Sequence, residues 1–185
     1  MRLPRAPIAI TALMLSVGAL IYANAQSGSQ TKRPMIFAPE DSDLGFRDVA
    51  PAPDVVLDAL LNTEEAKKAS EYLDPLDREG RRKCFSVVRI DLATEKDEDY
   101  IATGNCAMLG GADNNWFWIV HVDQGRARVT LFTGGLAVTI LNRKTNGFRD
   151  IEQAWAGNSG SVTHVYKYNG TVYKQVSEHF QKAKP

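Results

Sequence analysis

From Cys84 to Ser177 the chain is a succession of short runs rich in β-branched and aromatic residues, interrupted by turn formers about every eight to twelve residues. A chain with that texture is committed to an antiparallel sheet. The expected strands run from Cys84 to Leu92, Asp99 to Thr103, Trp116 to Val122, Ala127 to Phe132, Ala137 to Leu141, Asp150 to Trp155, Val162 to Tyr168 and Thr171 to Ser177. Between the last two, Asn169-Gly170 supplies the positive-φ pair of a type I′ turn. In that register Tyr166 faces Tyr173. Val162, His164, Tyr166 and Tyr168 share one side of the hairpin, and Val165, Val172 and Val176 share the other.

One convincing helix precedes the strands. Asp54 stands as its cap, Val56, Leu57, Leu60 and Leu61 fall on one face, and Asn62 or Thr63 begins a continuation through Ala66, Ala69 and Leu73. Glu64 and Lys68 are spaced as an i,i+4 pair, and Asp74-Pro75 ends the helical region. Its apolar stripe is suited to covering a sheet, so the expected class is α+β, mostly antiparallel β, with an N-terminal helix packed on the sheet.

Ahead of the helix the composition changes twice. Residues 1–25 read as a secretory signal peptide: Arg2 and Arg5, an apolar run from about Ile8 to Ala23, then Ala23-Asn24-Ala25 at a cleavable bond. The competing reading is an uncleaved anchor, because the run approaches the roughly 20 residues of a spanning helix. Thr11, Ser16 and Gly18 dilute it and favour cleavage before Gln26. Residues 26–53 are polar and broken by Pro34, Pro39, Pro51 and Pro53, a tether or strap whose pieces Met35-Ile36-Phe37 and Leu44-Gly45-Phe46 are able to dock. Residues 54–180 form one domain, and 181–185 a tail.

Export sets the redox chemistry. Cys84 and Cys106 are the only cysteines, and in an oxidising compartment they pair. The chain carries 22 basic and 22 acidic residues; loss of Arg2 and Arg5 leaves 20 against 22. That balance points to neither nucleic acid nor an anionic membrane surface. With no second long apolar stretch, no membrane span is expected after cleavage, and the location is periplasmic or secreted.

The strands fall into two similar groups, about 84–132 and 137–177. Ile90 through Asp99-Tyr100-Ile101 and then Trp118 to Gly125 parallels Leu141 through Asp150-Ile151 and then Val165 to Gly170, offset first by 51 and then by 45 residues. Ile90-Asp91-Leu92, the acidic turn and Asp99-Tyr100-Ile101 resemble the start of an FG-GAP or VCBS-type repeat, the blade of certain β-propellers. Asn146-Gly147-Phe148-Arg149-Asp150-Ile151 holds the same place in the second group. The order of leader, helix, acidic turn, Cys-containing loop and Asn-Gly hairpin also resembles exported bacterial proteins of unassigned role. Two units cannot close a propeller, so two blade-like repeats in an open or folded-over sheet are expected.

The resemblance implies calcium in the acidic turn, with Asp91, Glu95, Asp97 and Asp99 as its ligands. The turn lacks the glycine and the Asp-x-Asp-x-Asp spacing, however, and Lys96 stands at its centre. A solvated hairpin turn accounts for the same charges, so no cofactor is expected.

Other chemistry is sparse. His121 and His164 read as sheet histidines, His179 as part of a frayed end, and Ser159 in Gly157-Asn158-Ser159-Gly160 as a turn rather than a nucleophile elbow. The stretch from Gly104 to Trp118 is more informative. A long Gly/Asn loop, pinned by the Cys84–Cys106 bridge, brings Asn114, Asn115, Trp116 and Trp118 to a strand with both indoles on one side. They form either a platform for a glycan or protein partner, or core beneath the helix. The expected function is therefore an exported, non-catalytic binding or inhibitor-type module for a protein or cell-wall glycan. An envelope-polymer hydrolase and a surface or structural module are the alternatives.

Overall fold

The structure is a computed structural model that describes residues 34–39, 46, 49–93, 98–106, 108–110, 115–157 and 159–182. The leader, Glu95, Asp97 and Asn114 lie outside the described residues. Each of the eight expected strands is present: β2 (Phe85–Ile90), β3 (Glu98–Gly104), β4 (Asn115–Asp123), β5 (Arg126–Gly135), β6 (Ala137–Thr145), β7 (Phe148–Gly157), β8 (Gly160–Tyr168) and β9 (Tyr173–Lys182). β2 to β5 make one four-stranded antiparallel meander and β6 to β9 a second. A short strand from the polar strap, β1 (Met35–Phe37), adds to β6 and extends the second sheet to five.

The layers follow from strand alternation. On β4, Trp118 and Val120 point one way and Phe117 and Ile119 the other. The first pair joins Val87 and Ala102 in a core roofed by helix α1 (Asp54–Leu61) through Val56, Leu57 and Leu60. Phe117 and Ile119, with Ile90, Ile101 and Leu131, meet Val138, Ile140, Ile151 and Tyr173 of the second sheet. The first sheet is thus covered on both faces, by helices on one and by the second meander folded over the other.

The strap closes one side. Phe37 is buried against Val138, and Phe46 packs on Phe37 and Phe117 with ring centroids 5.7 and 6.4 Å apart. Further along, Ala50 bridges to Val87 of β2.

Three expectations need correction. Asp54 does not cap α1; Pro53 holds that place, and the Asp54 carboxylate instead takes Arg82 at 2.7 Å and Arg78 at 3.2 Å. The helical region continues beyond Asp74-Pro75: after α2 (Glu64–Lys68), capped by Thr63, and α3 (Ser70–Leu73) comes α4 (Arg78–Lys83), capped by the Asp77 carboxylate, which accepts from the Gly80 amide at 2.7 Å. The near pair in α2 is Glu64 with Lys67 rather than Lys68.

The last hairpin differs too. The Asn169 side chain accepts from the amides of Thr171 and Val172, both at 2.9 Å, and makes a four-residue loop. Tyr168 therefore faces Tyr173, and a bulge between Val165 and Tyr166 sets Tyr166 opposite Gln175. Paired positive-φ residues occur instead at Gln124-Gly125 and Asn146-Gly147, which join β4 to β5 and β6 to β7.

Candidate functional site

The Trp116–Trp118 platform is not a surface. Trp118 is fully buried under α1, its ring 5.7 Å from Phe85 and 5.3 Å from Phe132. Trp116 is half-buried, edge-on to Phe132 at 5.6 Å. Asn115 starts β4 opposite Gly135. The helix has taken the face these indoles share, which leaves a ligand no access to Trp118. The Cys84–Cys106 disulfide is formed, with Cα atoms 4.9 Å apart, and ties the end of α4 to the turn after β3.

The described ends of the acidic turn, Asp91 to Ala93 and Asp99, are tied into the fold. The Asp99 carboxylate meets His121 Nδ1 at 2.6 Å and accepts from the Leu92 amide at 3.2 Å. Next to it the buried Arg149 guanidinium donates to the carbonyls of Leu141 at 2.7 Å and Ile140 at 3.1 Å, and to Asn142 Oδ1 at 2.9 Å. Burial pulls that guanidinium below its ordinary value, while Asp91 and Tyr173 oppose the shift. The Tyr173 hydroxyl donates to the Arg149 carbonyl at 2.8 Å; burial, reinforced by Asp99 and Asp150, pushes the phenol far above its ordinary value.

The Arg149 amide also donates to Leu92, and Lys144 Nζ to the Ala93 carbonyl, so the turns of both meanders are locked together. Among the described residues no three His, Cys, Asp or Glu side chains converge as a metal site. Of the expected calcium ligands, Asp99 is committed to His121 and Leu92.

Ser159 is exposed in the turn between β7 and β8, and His164 of β8 stands five residues on, roughly 15 Å away along the chain. No Ser–His pair forms there. His179 is not in a frayed end: β9 runs on to Lys182 and pairs His179 with Thr163. Two grooves on the helix side, about 530 Å³ beside Asp58 and Arg126 and about 310 Å³ beside Glu79 and Arg82, are bordered by the Arg78–Asp58 and Arg82–Glu79 ion pairs.

The open chemistry is at the far end of the second sheet. Cross-strand register places Trp155, Val162 and Phe180 in one row across β7, β8 and β9, with side chains on one face. The next row is Gln153, His164 and Glu178, on the same face. His164 Nδ1 meets Gln153 Oε1 at 2.8 Å, and its Nε2 meets a Glu178 oxygen at 3.1 Å. Gln153 is buried against Gly135 of β5, where an added Cβ would stand 2.1 Å from its amide nitrogen.

Cover by the first sheet ends there. One row beyond, Trp155 is 38 % exposed and Phe180 59 %. Sequence reasoning missed this row because it ended the last strand at Ser177. Even carried on to Lys182, the Tyr166–Tyr173 register would set Phe180 opposite Ser159; the Asn169 loop and the bulge before Tyr166 bring it beside Val162.

No family model, curated protein or solved structure matches the chain.

Proposed function

We propose that the protein is an exported, non-catalytic binding module whose contact surface is the uncovered end of the second sheet, taking a protein or cell-wall component. The observation that carries the reading is the row Trp155–Val162–Phe180: two large aromatics share one face with Val162 and stand exposed, while Ile151 and Gln153 on the same face of β7 are buried. Aromatic side chains left in water beside polar groups are characteristic of interaction sites, and a ligand over this row would take the remaining exposed part of both rings from solvent. The leader and the Cys84–Cys106 bridge support export. No helix among the described residues is long and apolar enough to cross a membrane. The buried pair Asp99 and His121 is bonded within the core, away from solvent.

The test is retention of envelope and secreted material, insoluble wall included, by the immobilised protein. Material held by the wild type and lost from Trp155→Ala and Phe180→Ala supports the reading. Material held equally by both variants overturns the surface.

A further inference from the structure

Resting on the binding-module reading, we infer that this surface takes a chain of pyranose sugars. A pyranose has an apolar face of C–H groups and a rim of hydroxyls, each both donor and acceptor, so its complement is an exposed aromatic ring beside fixed planar hydrogen-bonding groups. The second sheet presents that pair as two adjacent rows about 7 Å apart along the strands.

In the aromatic row, Trp155 and Phe180 stand on the strands either side of β8, two interstrand spacings or about 10 Å apart, with Val162 between them. That separation spans two sugars of an extended chain, so the two rings meet alternate residues with Val162 beneath the one between. The indole lies over Gly157, where a Cβ would stand 2.9 Å from the ring.

In the polar row, Gln153 is buried against Gly135 and bonds His164, which in turn bonds Glu178. Glu178 keeps most of its side chain in solvent, and a carboxylate accepts from two neighbouring hydroxyls at once.

Charge narrows the class. Across the rows Gly157–Gly160–Lys182, Trp155–Val162–Phe180 and Gln153–His164–Glu178 the only carboxylate is Glu178 and the only ammonium Lys182. A neutral polyhydroxyl chain matches that balance better than a strongly anionic polymer. An anchor-type protein contact would set its aromatics in an enclosed, water-excluding pocket; here they lie in an open line.

The experiment follows indole N–H resonances of the purified exported protein during titration with N-acetylchitotetraose, cellotetraose and peptide-free wall glycan strands. Trp155 is the exposed indole, while Trp116 and Trp118 serve as internal references. The expected result is a saturable shift of the Trp155 signal by at least one of these glycans. Affinity should fall at least about tenfold in Trp155→Ala and in Phe180→Ala, and several-fold in Glu178→Gln, with melting unchanged.

Binding that survives Trp155→Ala overturns the site. No response to any of the three at millimolar concentration overturns the sugar ligand. If wall or secreted protein is then still retained in a Trp155-dependent way, the binding-module reading stands without the glycan. If nothing is retained, both fall.

Discussion

The three tryptophans divide between the two meanders and have opposite surroundings. Trp116 and Trp118 stand on β4 in a sheet covered on both faces, where they pack against Phe132, Phe85 and the residues beneath α1. Trp155 stands on β7, on a face that the first sheet covers only as far as Gln153. Both regions are antiparallel, and both show aromatics on one side of a strand. What decides whether an indole is core or contact is the layer that lies over it, so the two regions should respond in opposite ways to the same change.

The largest effect is expected in the covered sheet. Trp118→Ala should cost about 3–5 kcal/mol in urea unfolding, since α1 and its neighbours cannot collapse fully into the space. A loss below about 1 kcal/mol would mean that the indole is not core. Removing the Cys84–Cys106 bridge, with its separation of 22 residues, should cost about 3 kcal/mol in the chain-entropy account; equal melting with and without reductant would refute the bridge.

A pH-dependent loss comes next. The Tyr173 phenol is raised in the folded state, so its contribution is complete below the unfolded value near 10 and is lost as pH rises past it. Tyr173→Phe should flatten that alkaline limb of stability, measured by melting between pH 8 and 11 or so; an unchanged limb would count against the buried phenol. The smallest effect is Trp155→Ala, within about 0.5 kcal/mol of wild type. A larger cost would show that Trp155 packs as core and would erase the contrast.

The strands were legible because β-branched runs and turn formers alternate at hairpin spacing, and neither tertiary contact nor ligand is needed to set that pattern. α4 was not legible: Arg78-Glu79-Gly80-Arg81-Arg82-Lys83 has no apolar stripe, and it is held by the Asp77 cap and by ion pairs from Arg78 and Arg82 to Asp54, a residue more than twenty positions earlier. The register of the last hairpin was missed because Asn169 was credited with a backbone conformation, whereas its side chain builds the turn.

For the candidate site the shortfall has one cause. Loop length and paired indoles drew the reading to Trp116 and Trp118, but a single sequence shows which side chains share a face and not which face the helix covers. The exposed row was assembled from three strands whose register depends on the Asn169 loop and the bulge before Tyr166.

The central claim is that the uncovered end of the second sheet is the working surface, and a charge set in the middle of its row tests this most directly. The measurement is the affinity of Val162→Lys for the material that the wild-type protein retains, taken beside its melting temperature. The account predicts native melting with affinity reduced at least tenfold, about 1.4 kcal/mol or more. Native melting with wild-type affinity would contradict it.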